Sequence, residues 1–142
     1  MNIIKTCAIA LAITAAPVAA FTPAFAETAV ASAKAQTGEF ERRSKRLNGD
    51  WTVEQRGERT FIVFSEDFRA ANGPDLKIFL SPQSYDDVTG KTAVNGAINI
   101  GELKKTRGVQ EYELPADLQL ADYESILVHC EKFAVLWGGS DL

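Results

Sequence analysis

One sulfur and one imidazole stand side by side near the C-terminus, in the run Ser125-Ile-Leu-Val-His-Cys130. They are the residues best suited to chemistry in this chain. The sequence has two cysteines, Cys7 and Cys130, a single histidine, His129, and a single methionine, the initiator. That inventory excludes several functions outright. A blue-copper site takes two His and a Cys, and structural zinc takes four Cys or His ligands. Neither can be assembled, so no metal site is expected. C-x-x-C-H is missing, which removes covalent c-type haem, and His/Met or bis-His haem ligation within one chain is impossible. Nucleophilic hydrolysis fares little better. There is no G-x-S-x-G, and neighbouring residues on a strand point to opposite faces, which makes His129 and Cys130 poor dyad partners. Two roles remain for Cys130, a small apolar core filler or a working thiol.

The elements that hold this pair read as strands. Trp51 and Val53 alternate with Thr52 and Glu54, Arg56-Gly57-Glu58 is a turn, and Thr60 to Phe64 follows as a buried strand. Ser65 is placed to cap one helical turn through Phe68 and Ala70, ended by Gly73. Leu76, Ile78 and Leu80 face one way before Ser81-Pro82, and Tyr85 to Asn95 is a polar loop. Ile98 and Ile100 mark another strand. Gln110, Tyr112 and Leu114 alternate with acids until Pro115. Near the end, Ile126, Val128 and Cys130 share a face, and Phe133, Val135 and Trp137 form a second period-two set. The step of three from Cys130 to Phe133 demands a bulge or tight turn at Glu131-Lys132. About seven to nine short strands predict an all-β fold, an antiparallel sandwich or barrel.

The N-terminus reads as an address. Lys5 precedes an apolar stretch from Cys7 to Ala16, and Ala24-Phe25-Ala26 fits a cleavage site. The expected organisation is a signal peptide over 1–26, a flexible leader over 27–44 and a β domain over 45–142, with a periplasmic or secreted location. The apolar stretch is too short to span a membrane, so no span is expected in the mature chain. Removing 1–26 takes away Lys5 and no acid, which makes the mature chain one charge more acidic than the −4 of the whole sequence. Such a balance argues against nucleic acid as a partner. It also leaves Cys130 without an internal disulfide partner, so the protein is expected as a monomer or a Cys130-linked dimer.

Four fragments in order carry a resemblance. They are Asn72-Gly-Pro-Asp-Leu-Lys-Ile-Phe-Leu-Ser81, then Gly101-Glu-Leu-Lys104, then Gly108 to Pro115, then Val128-His-Cys-Glu-Lys-Phe-Ala-Val-Leu-Trp-Gly138. Together they resemble the DM-thirteen electron-transfer domain of Skeletor-type animal proteins and of many bacterial exported proteins, over about Gly49 to Leu142. The resemblance implies a redox role for Cys130, as a bare thiol or as the anchor of a prosthetic group. The family's V-x-x-C-x-x-F-x-V pattern puts Phe133 in register, and His129 and Trp137 stand where its flanking aromatics fall. Haem bound through the Cys130 thiolate is the form of prosthetic group the inventory still allows. A redox partner protein in the cell envelope follows from the same likeness. It describes an electron-transfer or binding domain more than a self-contained enzyme. The rival reading is a noncatalytic envelope binding module with Cys130 as core.

Overall fold

The computed structural model describes residues 36–142, so the expected signal peptide and most of the leader lie outside the described residues. Eleven antiparallel strands run in chain order: β1 Thr37–Glu39, β2 Glu41–Arg42, β3 Leu47–Asn48, β4 Asp50–Arg56, β5 Arg59–Phe64, β6 Arg69–Ala70, β7 Leu76–Ser81, β8 Ile98–Glu102, β9 Gln110–Glu113, β10 Ser125–Cys130 and β11 Val135–Asp141. They form a four-stranded sheet of order β1-β4-β5-β9, a five-stranded sheet of order β2-β11-β10-β7-β8 and a two-stranded β3-β6 layer. Neither large sheet closes on itself, so the fold is a sandwich and not a barrel. Among the described residues no helix is long and apolar enough to cross a membrane.

The seven strands of four or more residues are those that period-two alternation predicts. The four short ones are held mainly by backbone pairing, and two of them correct the expected leader. Thr37–Glu39 pairs with β4 and Glu41–Arg42 with β11, so β structure starts at Thr37 rather than near residue 45. Phe40, buried between them, is the corner at which the chain passes from one sheet to the other. The helical turn expected from Ser65 is also corrected. Phe68 N–H closes a single turn on Ser65 C=O, and the chain then extends as β6.

Alternation along the strands decides what the sandwich encloses. Ile62 and Phe64 of β5, Ile78 and Leu80 of β7, and Ile126, Val128 and Cys130 of β10 all point into one core. Phe40, Phe64, Phe68 and Tyr112 fill its centre, with ring centroids 4.8–5.5 Å apart. Each such aromatic pair contributes about 0.5–1.5 kcal/mol beyond the area it buries. The outer face of the five-stranded sheet is covered as well. Residues 82–97 form the expected loop, yet Tyr85, Val88 and Ala93 pack from it onto Phe79, Leu127 and Leu136. With cover on both faces, every residue of β10 is buried.

Where β8 and β9 approach one another, Tyr112 lies buried. Its hydroxyl donates to Gln110 Oε1 at 2.9 Å and accepts from the Lys104 N–H at 3.1 Å. Burial pushes its pKa up to about 12, against the opposing effect of the Lys104 N–H. The phenol of an unfolded chain titrates near 10. From there to about 12 the unfolded state gives up a proton that the native state keeps, so stability is full below that window and falls as pH rises through it. The expected loss is about 1.4 kcal/mol per pH unit. Urea midpoints taken from neutral to alkaline pH should show this slope, and Tyr112→Phe should flatten it.

Candidate functional site around Cys130

β10 runs between β7 and β11, with Cys130 opposite Leu76 on one side and Val135 on the other. Its sulfur points into the main core and has no exposed surface. The Sγ–H donates to the Pro74 carbonyl at 2.9 Å. That carbonyl belongs to Asn72-Gly73-Pro74-Asp75, the loop that leads into β7, so the loop closes over the sulfur. Three further ties fix it there. The Glu131 N–H donates to Asp75 C=O at 3.2 Å. Lys77 Nζ reaches Asp75 Oδ1 at 3.2 Å and also pairs with the Glu131 carboxylate. These carboxylates, Glu131 foremost, hold the Lys77 ammonium above its ordinary range. Lastly, Trp137 Nε1 donates to Ala71 C=O at 3.0 Å.

Trp137 reaches the loop because of a bulge. Val128 pairs with Gly138 but His129 pairs with Leu136, which leaves Trp137 as the extra residue on β11. The step of three read in the sequence is resolved separately, by a 3-10 turn at Glu131–Phe133 and Ala134 in the left-handed region at φ 49°. Gly73 lies flat on the indole, and a Cβ there would come within 2.5 Å of Trp137 Cζ2. Only glycine allows the loop to sit this close.

The structure therefore separates the four residues singled out from the sequence. Cys130 and Trp137 belong to one core, under one loop. His129 points to the other face, as alternation requires. Its Nε2–H donates to Gly90 C=O at 2.7 Å, its ring stands edge-on to Phe79 at 5.9 Å, and Nδ1 is buried with no partner. The imidazole anchors the covering loop and does not meet the sulfur. Phe133 is not a strand residue. It sits on the 3-10 turn, 60% exposed, outside both core clusters, so it supplies no wall to the thiol. Pro74, Asp75 and Lys77 are the contributors that sequence reasoning missed. Asn-Gly-Pro-Asp was legible as a turn, but its seat over Cys130 depends on a contact 56 residues away.

The residues present do not fit a haem. Cys130 is sealed by packed side chains and a backbone carbonyl. The same loop borders a depression of about 370 Å³, but that depression is lined by Gly73, Asp75, Leu76, Glu102, Leu103 and Thr106, and Cys130 does not reach it. No group of three or more His, Cys, Asp or Glu suited to a metal occurs among the described residues. A disulfide between two copies would likewise require the loop to lift first.

Two antiparallel sheets form a β-sandwich that encloses Cys130, the one cysteine among the described residues, beneath the Asn72–Asp75 loop. The chain belongs to the family described as Electron transfer DM13, whose model matches residues 39–141. No curated protein and no solved structure matches it.

Proposed function

We propose that this is an exported electron-transfer domain in which Cys130 is the redox group, handing electrons to or from a partner protein of the cell envelope. Membership of an electron-transfer family over residues 39–141 supports the class. The observation that carries the choice of Cys130 is its attachment to the Gly73–Asp75 loop. The thiol is hydrogen-bonded to a loop that is itself strapped by Lys77, so exposure of the sulfur is coupled to the state of that loop. Lifting that loop would remove the backbone carbonyl that covers the sulfur. A second reading, a binding module with Cys130 as core, draws on the complete burial of the same sulfur.

Both parts of the proposal have direct tests. Intact mass of protein recovered from the periplasm or medium is expected to give a chain starting at Glu27, and a retained Met1 would defeat the export claim. Protein first oxidised to a mixed disulfide between Cys130 and a small thiol is expected, on mediated redox titration, to take up two electrons as the S–S bond breaks and both thiols are released. Cys130→Ser, which cannot form that disulfide, is expected to show no such uptake. A variant titrating like the parent would leave Cys130 as core.

A further inference from the structure

Four of the thirteen lysines and arginines among the described residues are matched to acids. Arg43, Arg56, Arg59 and Lys77 all stand in ion pairs. The small β3-β6 layer is different. Asn48 pairs with Arg69, and Arg69 is bridged in turn to Arg107. The bonds flanking that bridge run from Ala70 N–H to Thr106 C=O at 2.8 Å and from Gly108 N–H to Phe68 C=O at 3.0 Å. This is the narrow type of antiparallel pair, in which opposed side chains approach most closely. Two arginines are therefore placed directly opposite each other on one face, an arrangement that is destabilising unless a counter-charge is present. Arg46 joins them. Its carbonyl accepts from Ala71 N–H at 2.8 Å, and alternation about the buried Leu47 puts its side chain on the outer face with Asn48.

None of Arg46, Arg69 and Arg107 has a salt-bridge partner among the described residues. The backbone nevertheless holds them in place. Arg69 Nη1 donates to the carbonyls of Glu66 and Phe68 at 2.8 and 2.7 Å, which leaves the rest of the guanidinium free. The segment carrying Arg107 is pinned by the Gln110 side-chain amide, which accepts from Lys105 N–H at 3.1 Å and donates to Lys105 C=O at 2.8 Å. The place of this face in the fold is also informative. Thr106, next to Arg107, lines the same depression as Gly73 and Asp75 of the loop over Cys130.

We propose that Arg46, Arg69 and Arg107 form the docking face for an acidic segment of a protein partner. Guanidinium forks match carboxylates bidentately. Charge complementarity of this kind raises association rates without a large interface, which suits short-lived electron-transfer encounters. The rim narrows the choice of anion. Glu66 and Asp67 on the turn before β6, with Asp75 and Glu102 around the depression, repel a broad anionic surface such as a lipid bilayer but leave room for a few carboxylates. The identity of the occupant as a redox partner rests on the function proposed above. The face itself does not.

The probe is fluorescein-labelled hexaglutamate, followed by anisotropy with the full-length mature protein. Binding is expected, weakening as salt rises. Arg46→Gln/Arg107→Gln keeps the backbone bonds of Arg69 and should lower affinity about tenfold, on the scale of two solvent-exposed charge contacts. Lys91→Gln/Lys132→Gln removes equal charge elsewhere and should bind like the parent. Unchanged thermal unfolding of both variants shows that folding is not the cause. Cys130→Ser should bind normally even if electron transfer is lost, so failure of the redox reading and failure of the docking face give different results. No binding by the parent, or equal loss in both double variants, overturns the proposal. So does binding of inorganic phosphate or phosphatidylglycerol vesicles at least as tight as that of hexaglutamate.

Discussion

Native protein mixed with a small disulfide reagent will leave Cys130 unmodified, while the same protein in denaturant will be modified at once. The suppression should be on the order of a thousandfold or more, because access requires local opening at a cost of several kcal/mol. The reason is geometric. Thiol–disulfide exchange needs contact between an attacking sulfur and its target, and the Cys130 sulfur has no exposed surface and is bonded to Pro74 C=O. The loop above it is held by Lys77, paired with Asp75 and Glu131. Lys77→Met should therefore speed labelling in native buffer with only a modest change in global stability, since the ion pair is partly solvated and Met keeps the apolar stem of the side chain. Prompt stoichiometric labelling of the parent protein would mean that the sulfur is not sealed. If labelling is slow, and faster in Lys77→Met, then any mixed-disulfide chemistry at Cys130 must wait for the strap to open.

What the sequence disclosed about this site follows from the range of each interaction. Period-two alternation is local, so it placed Ile126, Val128 and Cys130 on one face and His129 on the other, and the hydrogen bond of His129 to Gly90 agrees. It also flagged an irregularity after Cys130. The spacing was satisfied by the 3-10 turn at Glu131–Phe133, which takes Phe133 off the strand where the period-two reading had put it, and the bulge at Trp137 is a separate irregularity that the spacing did not signal. The short strands were not legible, because Leu47–Asn48 and Arg69–Ala70 are too brief to show a period. That the expected loop packs onto the outer face of the sheet was not legible for a related reason. Its buried residues, Tyr85, Val88 and Ala93, follow neither a helical nor a strand repeat. The strap over the sulfur is set by tertiary contacts alone.

The largest stability effect at the site is expected from Trp137→Ala. Truncating a buried tryptophan typically costs about 3–5 kcal/mol, the lost transfer energy plus the cavity left behind. Here the Ala71 carbonyl also loses its donor, and Gly73 loses the indole surface on which it lies. A matched control is available in Trp51→Ala. Trp51 is fully buried in the same core, but its ring packs under Gly38 of β1, far along the chain from the Asn72–Asp75 loop. Its indole N–H has no partner, so no carbonyl is orphaned when it is removed. Urea denaturation should show both variants losing several kcal/mol. Their thiols should differ. In Trp51→Ala, Cys130 should label only as fast as global unfolding allows. In Trp137→Ala it should label faster than the measured stability predicts, because the loop has lost its floor as well as one of its ties. Equal labelling at equal stability would show that Trp137 is ordinary core and that the strap does not govern access to the sulfur.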